Sequence, residues 1–158
     1  MDEQAKKTAL RMIPYGLYVL GVGDGDEATL STVNWLTQAS FQPPLVVVGV
    51  KADAGTYSKL KDAQKFAVSI LGTGQKDLAF AFFKHVEPQG GRFGDHAYET
   101  KMTGAPILVD APAWFECHVT DLVERGDHAI VVGTVVEAGV RRETRALTLE
   151  ECGVAYGG

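Results

Sequence analysis

Residues 17–35 read LYVLGVGDGDEATLSTVNW. Leu17 to Val22 is a continuous apolar run, Asp24-Gly25 is a tight-turn pair, and Ala28 to Trp35 is a second extended run. Two such runs around an Asp-Gly pair predict a β-hairpin. Gly21, Gly23 and Gly25 invite comparison with a dinucleotide-binding loop, but that loop needs a helix directly behind it, so that a pyrophosphate meets the helix N-terminus. Behind these glycines the chain instead reads Thr29-Leu30-Ser31-Thr32-Val33, whose β-branched residues suit a strand. Asp24, Asp26 and Glu27 do not complete an EF-hand loop either, because Trp35 stands where the bidentate glutamate belongs.

Working outward, the same texture recurs. Pro43-Pro44 introduces the Val-rich run Leu45 to Val50, apolar on both faces and therefore a central strand. Phe66 to Leu71, Trp114 to Val123 and Ala129 to Val136 are further strands, the last preceded by the turn Gly126-Asp127-His128. Three helices are predicted. The first lies at the N-terminus, with Ala5, Ala9, Met12 and Ile13 on one face, and ends at Pro14. The second runs from Thr56 to about Gln64, capped by Asp53 or Thr56, and the third from Gln75 to Phe83. Lys84 to Pro106 shows no period and holds four glycines, and the end of the chain is read as one or two short strands beside Arg141, Arg142 and Arg145. Strands joined by turns, without regular βαβ alternation, predict a mainly β fold: an antiparallel barrel or sandwich with a few helices attached.

Length and composition narrow the function classes. A chain of 158 residues is expected to form a single domain over 1–158. Its 46% hydrophobic and 22% charged residues argue against disorder. Fifteen Lys and Arg against 20 Asp and Glu leave a net charge of −5, which disfavours nucleic acid as the main partner. Leu17 to Val22 is too short to span a membrane, and no targeting segment is apparent. The four histidines show no short metal spacing, so no metal site is expected. Cys117 and Cys152 are read as isolated thiols, in keeping with a cytoplasmic location.

Three places carry chemistry. Thr29 to Ser40 crowds small hydrogen-bonding groups among apolar ones, a mixture that can take the face of a flat ring on its walls and the ring edge on its polar groups. The ordinary alternative is a strand with a solvated face running into a polar loop. Lys51, Asp53, Gly55 and Thr56 place a cation and a hydroxyl at a helix start, a setting that suits an anion such as phosphate, although taken alone a plain cap with a solvated lysine is the favoured reading. His128 follows a turn and precedes a buried strand, where an imidazole can bond a ligand near neutral pH or serve packing alone.

Taken in order, these segments resemble the flavin reductase-like family, the FMN-binding split barrels. The resemblance rests on Met12 to Leu20, on Thr32-Val33-Asn34-Trp35-Leu36-Thr37-Gln38-Ala39-Ser40-Phe41-Gln42-Pro43-Pro44-Leu45-Val46, on Thr56 to Leu60, on Phe66 to Leu71, on Gln75 to Phe83, and on Gly126-Asp127-His128 running into Gly133. It implies a six-stranded antiparallel Greek-key barrel that forms a homodimer, with one FMN per subunit near the interface. It also implies that Asn34, Trp35, Leu36 and Thr37 contact the isoalloxazine or its ribityl chain, and that Ala39 and Ser40 continue that wall. Val50 and Lys51 would flank ring and phosphate, Thr56 would bond the phosphate, and Lys84 would pair with it. His128 would face the flavin or an incoming nicotinamide. A phosphate near −2 charge favours a cation beside it, which singles out Lys51 and Lys84. Ser69 stands where many relatives have asparagine, and the chain is short for the family. The expected activity is NADH- or NADPH-dependent flavin reduction, with His128 as the catalytic-site residue. The alternatives are an FMN electron carrier of the flavoredoxin type, served by a redox partner protein, and a binding module without flavin.

Overall fold

The computed structural model describes residues 1–158. Seven strands build its principal sheet: β1 (Tyr18–Val22), β2 (Thr29–Val33), β3 (Leu36–Ser40), β4 (Leu45–Lys51), β5 (Lys65–Ile70), β10 (Ala113–Val123) and β11 (His128–Val140). Between β5 and β10 the chain forms a small second sheet of β6 (Pro88–Gln89), β7 (Arg92–Phe93), β8 (His96–Glu99) and β9 (Ile107–Leu108). The principal sheet is entirely antiparallel and curled, in the order β2-β1-β5-β10-β11-β4-β3. The helices are α1 (Glu3–Arg11), α2 (Gly55–Ala63) and α3 (Lys76–Ala81).

The opening hairpin forms in the predicted place, with Tyr18 opposite Val33 and Val22 opposite Thr29, closed by a short 3₁₀ turn over Gly25–Glu27. Its first strand is apolar throughout because both of its faces are covered. Leu20 and Val22 point into the barrel core with Val46, Val48, Phe66, Val68 and Val131, while Val19 packs with Leu30, Leu71, Phe82, Phe93 and Leu108 on the other side. α2 seals the barrel interior by inserting Tyr57 and Leu60 among the inward residues of the sheet. Backbones come very close where β1 crosses the chain before β9: a Cβ on Gly21 would overlap the Pro106 carbonyl oxygen. Only a residue without a side chain admits that approach.

Several expectations are corrected. Seven strands replace six, because Leu36–Ser40 is itself a strand, paired with β4 along the sheet edge. Thr37, Gln38 and Ala39 face solvent there, which explains a composition that reads as loop. Lys84 to Pro106 is not irregular: it supplies β6, β7 and β8, strands too short to show a period. The end of the chain forms no strand beyond β11, only the isolated bridges Gly16–Thr148 and Gly72–Ala146. Neither Asp53 nor Thr56 caps α2; the cap position is Ala54, with no side-chain bond to the helix start. α1 buries none of its residues, and no helix is long and apolar enough to cross a membrane.

Candidate functional site

The curled sheet is not closed on itself. β2 and β4 approach within 8 Å without pairing, and α2 spans the interval between them. A cavity of about 600 Å³ opens along this seam, within the range of small-molecule sites. Its walls come from β2, the Asn34-Trp35 break behind it, the end of β4, the start of α2, the first residue of β11, and residues 82–85 and 154–156.

One end of the cavity is built for an anion. The amide groups of Gly55 and Thr56 have no partner within the chain, and no side chain caps the helix. The Thr56 hydroxyl is 2.6 Å from that of Ser31, which joins β2 to the helix start. Lys51, Lys59 and Lys84 line the same cavity. Lys51 lies 3.7 Å from Asp53 in an exposed pair that holds its ammonium loosely, while the half-buried Lys59 lies 3.5 Å from the Glu27 carboxylate and also donates to the Glu27 carbonyl at 3.1 Å. Lys84 has no carboxylate partner. Free amides at a helix N-terminus, two hydroxyls and three ammonium groups form the donor set of a phosphate site.

The other end is aromatic. Trp35 rests on β4 at Gly49, where an added Cβ would lie 3.2 Å from the indole. The Gly49 amide donates to the Trp35 carbonyl at 2.8 Å. Around the indole stand His128 at 4.5 Å, Tyr156 at 5.2 Å and Tyr15 at 6.5 Å between ring centroids. The indole Nε1 is buried and has no partner, an unmet donor beside an open cavity. His128 is held by Asp127, whose Oδ1 lies 2.9 Å from Nδ1. The hydrogen bond from His128, and then its charge, hold the Asp127 carboxyl below the usual aspartate range. His128 Nε2 meets the Tyr156 hydroxyl at 2.8 Å. Asn34, nearly buried, donates from Nδ2 to the Tyr156 carbonyl at 3.4 Å. The cavity thus joins an aromatic wall at one end to a cluster of cations, hydroxyls and free amides at the other.

Of the residues expected from the sequence, Asn34, Trp35, Val50, Lys51, Thr56, Lys84 and His128 line the cavity together. Leu36, Thr37, Ala39 and Ser40 do not. Leu36 packs toward the barrel core, and Thr37 to Ser40 run along the outer edge of the sheet, because β3 turns away after Trp35. Ser69 lies elsewhere: it is fully buried and accepts from the Leu108 amide at 2.9 Å, a structural bond between β5 and β9. Lys59, Ser31, Phe82 and Tyr156 are among the lining residues not expected as site residues. Lys59 is one helical turn from Thr56, so the α2 face carries a signal for it. Ser31 has its signal in the polar stretch. Phe82 and Tyr156 have none, since each reaches the cavity through long-range packing.

The cysteines play no part in the site. Burial pushes the Cys117 thiol up to about 12, with the adjacent Glu116 carboxyl adding to it, and burial raises Cys152 as well. The thiolate is the reactive form. Iodoacetamide at pH 8 is therefore expected to leave both residues unmodified in the folded protein and to label both after denaturation, as read by intact mass. Labelling of either in the folded state would contradict this.

Comparison with known proteins places the cavity in context. The family model described as "Flavin reductase like domain" matches residues 10–154. The chain is 38% identical over 127 residues to the NADH-dependent FAD reductase of Streptomyces globisporus, a match covering 79% of this chain and 69% of that protein. It is 34% identical over 135 residues to the stachydrine N-demethylase reductase subunit of Rhizobium meliloti, covering 85% of this chain and 57% of the relative. It covers only 42% of a second Rhizobium meliloti relative, so it spans about half the length of these two. Among solved structures, BorF, the flavin reductase component of a bacterial two-component tryptophan halogenase, superimposes with a TM-score of 0.82 at 29% identity, covering 99% of this chain and 98% of that one.

Proposed function

The chain belongs to the flavin reductase-like family, and from that premise we propose that it binds FMN and reduces it with NADH or NADPH. The observation that carries the proposal is the two-ended cavity: an aromatic wall at Trp35 and His128, and an uncapped, lysine-lined helix start at Thr56. A bound flavin supplies the hydride-accepting ring, and reduced nicotinamide supplies the hydride. The protein contributes position. Trp35 and Val50 form the wall against which a ring is set. Ser31, Thr56 and the Gly55 and Thr56 amides hold the phosphate oxygens, while Lys51, Lys59 and Lys84 offset its charge. Asp127 fixes one nitrogen of His128, so the imidazole presents the other to the cavity in a set orientation. Holding two rings in a reactive arrangement is the main catalytic contribution in such a site.

The electron-carrier alternative depends on Lys84 to Pro106 closing over the site. Only Lys84 and His85 of that segment line the cavity, which favours a site open to a second small molecule. We propose in addition that two copies associate as a homodimer. The exposed edge strand β3, with Thr37 and Ala39 outward, is the surface through which a second copy would bring Leu36 to Ser40 near a flavin.

The test is the visible spectrum of the purified protein, before and after adding riboflavin 5′-phosphate, followed by anaerobic addition of NADH or NADPH. A flavin band perturbed by the protein and bleached within seconds supports the proposal. A bound flavin that neither nucleotide bleaches would leave a carrier served by a redox partner protein. A protein that takes up no flavin would overturn the reading.

A further inference from the structure

Residues 153–156 pass across the cavity as a strap. Gly153 adopts φ +68°, and Gly157 just beyond adopts φ +146°, conformations that let the chain turn at both ends. Between them, Tyr156 lays its ring beside Trp35 and places its hydroxyl on His128 Nε2. Asp127 already holds Nδ1, so Tyr156 takes the last polar position that His128 can offer. A flat ligand that is to lie against Trp35 and bond His128 therefore needs the place that Tyr156 holds.

The strap is lightly attached. No backbone–backbone hydrogen bond engages residues 154–156. Beyond the His128 contact, its polar tie within the cavity is the long bond from Asn34 at 3.4 Å. Val154 and Tyr156 remain 38% and 46% exposed. On its far side lies a second cavity of about 520 Å³, beneath Met12, Ile13 and Tyr15, which shares Val154, Ala155 and Tyr156 with the first. The strap is thus a partition with space on both faces.

We propose that Tyr156 occupies the ring position against Trp35 and His128 and is displaced toward the second cavity when a flat heteroaromatic ligand enters. This rests on the flavin reductase reading for the ligand's identity, which is either isoalloxazine or nicotinamide. Self-occupancy lowers the fraction of molecules competent to bind and so weakens the apparent affinity for whichever ring competes.

The test compares the wild-type protein with Tyr156→Ala and Tyr156→Phe, titrated separately with riboflavin 5′-phosphate and with NAD⁺, which binds without turnover. Binding is followed by protein fluorescence and calorimetry. Tyr156→Ala is expected to tighten one of the two ligands by about threefold to tenfold, the scale of one aromatic contact with its hydrogen bond. The ligand that tightens is the one that shares the site. Tyr156→Phe, which keeps the ring and loses the bond to His128, is expected to tighten it less. Both ligands binding to Tyr156→Ala as in the wild type, or more weakly, would overturn the proposal while leaving flavin binding intact. Wild type and variants all failing to bind flavin would instead remove the reading it rests on, and this proposal with it.

Discussion

Replacing Glu116 by alanine is expected to cost on the order of 3–5 kcal/mol of folding stability, the scale seen when buried polar networks lose a partner. Glu116 lies on β10, is fully buried, and collects three donors from the segment before β9. The Met102 and Thr103 amides each reach its carboxyl oxygens at 2.9 Å, and the Thr103 hydroxyl does so at 2.5 Å. Thr103 is itself buried, so alanine leaves its two donors without water or protein to replace the lost acceptor. The consequence spreads, because this segment carries the Pro106 carbonyl into contact with Gly21 on β1. Thermal unfolding should show a midpoint roughly 10 °C lower for a chain of this length. Glu116→Gln, which keeps one acceptor oxygen, should fall between. A midpoint for Glu116→Ala within about 2 °C of the wild type, the shift of well under 1 kcal/mol, would mean that the network contributes little.

The second large effect concerns ligand affinity. Thr56→Val is expected to weaken binding of riboflavin 5′-phosphate by about tenfold to a hundredfold, the range for loss of one hydrogen bond to a charged group. Valine matches threonine in shape, and Thr56 is only partly buried in the first turn of α2, so the helix remains. Riboflavin, which has no phosphate, should bind to wild type and variant alike. That comparison separates an anion contact from general damage to the cavity. Equal weakening of both ligands would place Thr56 away from the phosphate, and no change in either would remove it from the site.

Part of the cavity lining could be read along the chain. The apolar runs and turn chemistry of residues 17–35 predict the hairpin, and the Val-rich run 45–50 predicts a strand, which β4 is, with one face buried and the other half-buried. His128 falls at the start of β11, where Gly126-Asp127 places it, opposite Lys51 of β4. Asn34 and Trp35 reach the cavity because the polar stretch breaks the strand between β2 and β3. Leu36 to Ser40 lie outside the cavity of their own chain. Thr37, Gln38 and Ala39 face solvent along the sheet edge, and composition alone does not say what such an edge meets.

What the residues establish locally is the kind of each element. Periodicity, turn pairs and prolines act over a few residues, and so hairpin, helix and strand are written into neighbouring side chains. The enclosure of the cavity is another matter. Ser31 meets Thr56 across 25 positions, Asn34 meets Tyr156 across 122, and Glu116 meets Thr103 across 13. Such meetings depend on which strands lie side by side and how far the sheet curls before it fails to close. Burial of both sheet faces sets that arrangement through the whole core at once, and no short stretch of chain records it.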